Sequence, residues 1–503
     1  MLLRYDDLVI GGGVSGLTTA VLLAQTGRSV AIIEKAPRLA PLISGFHRKK
    51  LYFDTGLHYL GGCRKNRIFD LLTRFLKIDT AFDTIQLNPE GFELLHINDP
   101  HFEARVPSGL SSIRSYLKSL FPADKEAVDA FFDKIEVVND LLLDFKFHEL
   151  LSSLASIHKE LNVSLTDFVG RLTQEPSLKA VLTAHCMLHG SRPNETSMLY
   201  HSLVVGGYFE SAHRVKGGGM ALVKAFRERL NALGVDIFCG EGVERLVFSK
   251  GSKLHAVQLA DGEVLEGQNV VSTIHPISFL HLVPEGVFRP VFVNRLQKLS
   301  ETPSAYLFFA KYDGSFPDHL PEHLFAVPQP GYFDFGLDKP VDQRPIFIVS
   351  DRHSSQNDQT PISIIIPAVI QEVQNWRQST FDERPKTYDQ FKAQLTQQVE
   401  QEIGKRFPEL CERLTFVDAA TPLTLKDYSH NPFGSMYGVK HCIGQYNPGP
   451  RTKIENLFLA GQAIAAPGIL GAMTSAFLTV RFLLREDTIT KGLEVLKNSG
   501  PDH

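Results

Sequence analysis

Cysteine is scarce: five among 503 residues, at Cys63, Cys186, Cys239, Cys411 and Cys442, with no CxxC pair. That excludes a disulfide framework and a zinc ribbon, and it reads as reduced thiols in a cytoplasmic chain. Tryptophan is scarcer still, with Trp376 alone in a polar stretch. An excess of one charge is also missing. Against 56 Asp+Glu stand 52 Lys+Arg, a formal −4, and no Lys/Arg block occurs. Nucleic acid is therefore not expected as a partner. No internal repeat or low-complexity tract is visible. With 43% hydrophobic and 21% charged residues the composition excludes disorder and a fibre, and it supplies a sizeable core. At ~150 residues per domain the length alone suggests about three domains.

One long run lacks charge, Leu457 to Val480, more than the ~20 residues a bilayer crossing needs. Gln462, Pro467 and the glycines Gly461, Gly468 and Gly471 interrupt it. A strand, a turn and a buried helix are expected there instead of a span. The opening Met1-Leu2-Leu3-Arg4-Tyr5-Asp6 runs straight into a strand, which leaves no room for a leader, so a cytoplasmic location is expected.

The first forty residues carry the clearest chemistry. Asp7-Leu8-Val9-Ile10 is an apolar strand, followed by Gly11-Gly12-Gly13-Val14-Ser15-Gly16, a helical pattern through Leu17, Val21 and Ala24, and a second strand ending at Glu34. Gly11 suits the tight turn, Gly13 lets the backbone approach a pyrophosphate, and Gly16 lets helix and strand pack closely. The helix N-terminus then faces the phosphates. Glu34 can accept from both ribose hydroxyls, and its charge disfavours a 2′-phosphate. A dinucleotide is expected here, and no second GxGxxG for NAD(P)H follows.

Three later segments narrow the choice. They are Lys216-Gly217-Gly218-Gly219 with its helix and Gly242-Val243; Leu254–Leu259 with Val270–Thr273; and Asn456–Gln462 with Pro467–Ala472. Phe53-Asp54-Thr55-Gly56-Leu57-His58-Tyr59 has the form FDxGxHY. His189-Gly190 precedes Pro193 and Ser197, and Thr421-Pro422-Leu423-Thr424 precedes Gly434-Ser435-Met436-Tyr437-Gly438. Over nearly the whole chain these motifs resemble the FAD-dependent family of phytoene desaturases, carotenoid isomerases and all-trans-retinol 13,14-reductase (retinol saturase). The Thr421–Thr424 run with Gly434–Gly438, and Gly461-Gln462 with Pro467–Ala472, point to the isomerase and retinol-saturase branch.

The resemblance implies an α/β fold, in which a Rossmann-type FAD-binding domain is interleaved with an α+β substrate domain, amine-oxidase/phytoene-desaturase-like. The flavin domain is expected from 1–80, 206–284 and 440–490, the substrate domain from 81–205 and 285–439, and a tail at 491–503. The cofactor expected is FAD. Gly11, Gly13, Val14, Ser15 and Gly16 would meet its pyrophosphate, Glu34 and Lys35 its adenosine ribose, and Val243 its adenine. Gly461 and Gln462 would lie by the ribityl chain, with the helix from Gly468, Ile469 and Gly471 pointing at the flavin. That placement suits the negative charge of a reduced flavin. Two departures stand out. A single Gly45 stands where the family has a Gly-Gly pair, and His213-Arg214-Val215-Lys216 replaces its YPxGG approach.

The implied function is an oxidoreductase that saturates, desaturates or isomerises a C=C bond of a lipophilic polyene, exchanging electrons with an external donor or acceptor. His58, Tyr59 and Tyr437 are the catalytic candidates, because an imidazole or phenol beside the flavin could move a proton. His185 and His189, at i and i+4, have no third ligand nearby in sequence, so no metal is expected. The 35 phenylalanines suit either an apolar tunnel or an ordinary core. Residues 80–205 are expected to be mainly helical, with one helix through 124–154 whose end (Lys146, His148 among leucines) could dock on a membrane. Two other readings fit the same scaffold: a non-catalytic prenyl escort resembling Rab GDP-dissociation inhibitors, and a flavin amine oxidase.

Overall fold

The computed structural model describes residues 3–143, 161–249, 253–484 and 486–499. Two seven-stranded sheets organise it. In the first, Leu3–Ile10 lies between Val30–Glu34 and Val264–Ser272, with Asp236–Cys239 beyond Val30–Glu34. All these pairings are parallel. Strands in a parallel sheet are covered on both faces and read as continuous apolar runs, and Val30–Glu34 is buried throughout. Val264–Ser272 has a divided second edge. Its beginning pairs antiparallel with Leu254–Leu259, and its end pairs parallel with Leu457–Leu459. Strand segments from the start, middle and end of the chain thereby meet in one sheet.

Helix Val14–Ala24 is buried along its whole length. Leu17 and Val21 share a core with Leu222 and Phe226 of helix Gly218–Ala232 and with Met473 and Phe477 of helix Gly468–Val480. The charge-free run 457–480 is thus a strand, a turn and a buried helix. Among the described residues no helix is long and apolar enough to cross a membrane.

The second sheet runs in the order Leu414–Ala420, Ser304–Asp313, Gln359–Ala368, Ile346–Ser350, His323–Val327, Glu93–Ile97 and Phe102–Val106. It is antiparallel except where His323–Val327 lies parallel to Glu93–Ile97. Residues 80–205 are helix-rich, with Leu110–Leu120, Lys125–Leu143, Leu165–Leu172, Pro176–Thr183 and Met198–Glu210, but Thr84–Gln86, Glu93–Ile97 and Phe102–Val106 are strands that the sequence reading did not give. Glu93–Ile97 is buried on both faces, so its sequence lacks the alternation that marks a half-exposed strand. The helix expected through 124–154 spans Lys125–Leu143; its suggested membrane-docking end lies outside the described residues.

Candidate active site

The turn after the first strand is built by steric necessity. Gly11 has φ +102°, and a Cβ there would lie 2.6 Å from Thr273 Oγ1. At Gly16 a Cβ would lie 1.9 Å from the Gly11 carbonyl oxygen. Gly13 differs: φ is −72°, and a Cβ would meet nothing within 4 Å. It borders open space at the N-terminus of a buried helix, the concave backbone that a pyrophosphate needs. Ser15 Oγ is buried there with no partner among the described residues. Glu34, at the end of the adjacent strand, accepts from Gly12 N at 2.5 Å and Ala36 N at 2.8 Å. Its carboxylate therefore holds the loop in shape as well as facing the cavity.

That cavity is large, about 1150 Å³, where a drug-sized pocket has ~300–1,000 Å³. Gly11, Gly13, Val14, Ser15, Glu34, Lys35 and Val243 line it, as do Gly461, Gln462, Gly468 and Ile469. Gly16 and Gly471 stand behind the wall as packing glycines. At Gly471 a Cβ would lie 2.2 Å from the Ala466 carbonyl oxygen. His441 Nε2 donates to the Gln462 carbonyl at 2.7 Å, and Asn447 Nδ2 donates to His441 Nδ1 at 3.2 Å. These contacts set the turn after strand Leu457–Leu459. A cavity lined by a glycine turn at a helix N-terminus, by the Glu34 carboxylate and by the start of a second helix at Gly468 fits FAD.

Beyond the cradle the same cavity turns apolar, against Phe46, Leu307, Phe309, Phe347, Ile365 and Met436. Phe46 and Phe309 meet edge to face at 4.8 Å. Other phenylalanines, such as Phe131, Phe132 and Phe226, are plain core, so the residue serves both purposes. His58, Tyr59 and Tyr437 all line this cavity. Burial, with the Arg214 charge adding to it, pushes His58 down to about 4. Burial and the neighbouring Tyr208 raise Tyr437 above the usual phenol range. Tyr59 is raised as well, by burial and then Glu93, to which its hydroxyl donates at 3.3 Å. Burial disfavours charge on all three.

The departure at His213-Arg214 has a structural meaning. Arg214 is buried in strand Ala212–Val215 and is bolted to the second sheet, with Nη1 3.0 Å from Asp351 Oδ2 and Nη2 donating to the Ser350 carbonyl at 3.1 Å. Asp54 of the FDxG motif accepts from Gly219 N at 2.9 Å and from the Tyr52 hydroxyl at 2.8 Å. It thereby closes the N-terminus of helix Gly218–Ala232. Burial still raises this carboxyl to about 6. Thr273, Tyr208, Met187 and Leu188 also line the cavity, although sequence reasoning gave none of them a role. Only Thr273 had a signal, its place at the end of an apolar strand.

The histidine pair is regrouped by the fold. His185 Nε2 lies 2.9 Å from Glu93 Oε1, whereas His189 Nε2 lies 3.1 Å from His201 Nδ1. All three histidines are buried.

Comparison with known proteins agrees with this geometry. The family described as flavin containing amine oxidoreductase matches residues 14–483. All-trans-retinol 13,14-reductase of Danio rerio is 24% identical over 98% of this chain and 88% of its own. The 4,4'-diaponeurosporene oxygenase of Staphylococcus aureus is 21% identical over 93% of this chain and 95% of its own. Among solved structures, a putrescine oxidase triple mutant superposes with TM-score 0.66 at 17% identity, covering 97% of this chain and 99% of its own. The chain belongs to the flavin containing amine oxidoreductase family and is an FAD-dependent oxidoreductase.

Proposed function

We propose that this enzyme acts on the C=C bonds of a long apolar polyene, retinoid- or carotenoid-like, by saturation, desaturation or cis–trans isomerisation. One observation carries the reading: the glycine cradle and the apolar side chains Phe46, Leu307, Phe309, Phe347, Ile365 and Met436 line one continuous cavity. Two relatives, one named for retinol and one for a carotenoid, support the substrate class. In this reading segments 1–80, 206–284 and 440–490 hold the flavin, and 81–205 with 285–439 hold the polyene.

Bound flavin supplies hydride exchange. The chain's own residues have three tasks: gripping the cofactor, excluding water and holding a proton. Gly11, Gly13, Val14 and Ser15 offer backbone to the phosphates, with Gly16 keeping the turn closed. Glu34 and Lys35 serve the ribose end, and Val243 the adenine. Gly461, Gln462, Gly468 and Ile469 face the flavin end, and Gly471 lets that helix begin. Phe46, Phe309 and Phe347 exclude water around the reacting bond. With its pKa near 4, His58 is neutral at pH 7 and so accepts a proton more readily than it donates one. Tyr437 stays protonated and is the proton holder of choice. The Tyr59 hydroxyl, turned to Glu93, positions the wall.

Anaerobic incubation of the reduced, flavin-loaded protein with retinol, lycopene isomers and unsaturated fatty acids tests the proposal. A gain of two hydrogens marks saturation, and a changed retention time at unchanged mass marks isomerisation. If no polyene is altered while amines are oxidised under air, the proposal fails. A prenyl escort is disfavoured by the open glycine cradle, and colourless protein that takes up no added FAD would revive it. The reaction also needs an electron donor or acceptor from outside the chain, and delivery from a membrane surface suits so lipophilic a substrate.

A further inference from the structure

Behind one wall of the chamber lies a cluster that the flavin chemistry does not use. Cys186 sits on the tight helical turn Ala184–Leu188, His189 follows that turn, and His201 lies on helix Met198–Glu210. All three side chains are buried. Their ligand atoms converge: His189 Nε2 to His201 Nδ1 is 3.1 Å, Cys186 Sγ to His201 Nδ1 is 4.0 Å, and all three atoms lie within 4.8 Å of one another. In a tetrahedral zinc site, bonds of ~2.0–2.1 Å to nitrogen and ~2.3 Å to sulfur put ligand atoms about 3.3–3.6 Å apart. The observed separations bracket that range.

We propose that Cys186, His189 and His201 form a buried site for a soft divalent cation, with Zn²⁺ as the expected occupant. The donor set of one thiol and two imidazoles favours zinc over magnesium or calcium. Neutral imidazole is the ligating form of histidine. On binding, the Cys186 thiol loses its proton to solvent, and the thiolate bonds the metal. The thiolate offsets part of the cation's charge. The site would pin the turn to the helix. Between its first two ligands lie Met187 and Leu188, which line the chamber, so the cation would hold that wall in place.

The test uses the flavin-loaded, full-length protein, dialysed against a moderate chelator and then titrated with Zn²⁺, or with Co²⁺ as a spectroscopic substitute. Expected are stoichiometric zinc by elemental analysis and a thiolate-to-cobalt charge-transfer band in the near ultraviolet. Cys186→Ser should abolish that band. It should also weaken zinc by more than the ~10–100-fold that loss of an outer-shell partner costs, with flavin absorbance reporting that the fold survives. Substoichiometric zinc and no cobalt band in the wild type would overturn the proposal, even if the serine variant fails to fold. Zinc retained by Cys186→Ser but lost from His101→Gln, in the group of buried His96 with exposed His101 and Glu103, would overturn it too. That result would leave the cluster as a hydrogen-bonded histidine pair.

Discussion

Gly13 and Gly16 stand in one loop and do different work, which their spacing alone does not reveal. Alanine at Gly16 would drive a methyl into the Gly11 carbonyl, and overpacking of this kind costs ~1–3 kcal/mol or more. Alanine at Gly13 would fit the backbone, since φ there is ordinary, but would fill the cradle. We therefore expect Gly13→Ala to melt like wild type without flavin and to lose at least about tenfold in FAD affinity, an effect of ~1.4 kcal/mol. Gly16→Ala should lower the flavin-free melting temperature itself. Calorimetry with FAD titration checks both, and wild-type FAD affinity in Gly13→Ala would refute the assignment.

A second residue-scale prediction concerns pH. The folded pKa of His58, about 4, lies below the unfolded ~6.5, so the unfolded chain binds the extra proton between these values. Stability is therefore lost as pH falls through that window, by about 1–3 kcal/mol. Asp54 has the opposite sign. Its folded pKa of about 6 exceeds the unfolded ~3.9, so its contribution is present at low pH and is lost as pH rises through about 6. Asp54→Asn should gain on wild type above pH 6 and show no gain near pH 4, whereas His58→Asn should lose less than wild type on acidification. Melting curves from pH 4 to 8 decide this. Parallel profiles for all three proteins would mean that neither group titrates as described.

Among the elements, legibility followed periodicity. Strand, glycine turn, helix and second strand were readable through Glu34 because each has a pattern of its own. The helix Lys386–Arg406 has as plain a period, with Tyr388, Leu395, Val399 and Ile403 buried on one stripe. Glu93–Ile97 was not, since its two polar residues point into the interior. Glu93 meets Tyr59 and His185, while His96 meets Glu103. The replacement at Arg214 was visible as a departure, but its partners Asp351 and Ser350 lie far along the chain, where no local pattern connects them. This bolt joins strand Ala212–Val215 to the second sheet, and removing one member strands a buried charge. Arg214→Met should destabilise the protein by ~3–5 kcal/mol, and adding Asp351→Asn should restore part of that. Urea denaturation of the single and double variants measures the coupling, and strict additivity would show that the pair does not act as a unit.

At the scale of the whole molecule, the decisive feature is where the cavity opens. Motif reasoning placed the cradle and the three candidates His58, Tyr59 and Tyr437 around one space, because family motifs mark backbone that must bend or approach closely. It did not mark the exposed apolar residues of the lining, which belong to no motif. Leu42, Phe381 and Tyr428 line the same cavity yet are 40%, 54% and 46% exposed. Phe381 and Tyr428 meet edge to face at 5.5 Å. On the proposed reading these side chains form a lip suited to insertion among lipid tails, each one buried contributing ~1.5–3 kcal/mol. For a polyene dissolved in a bilayer, this lip would shorten the path through water. Phe381→Glu with Tyr428→Glu should therefore cut turnover of vesicle-borne polyene by about tenfold or more, while turnover of detergent-dispersed polyene stays within about twofold. Initial rates in the two media test this. An equal fall in both would assign these residues to the chamber wall and not to entry, whereas no fall in either would remove the lip from the substrate's path.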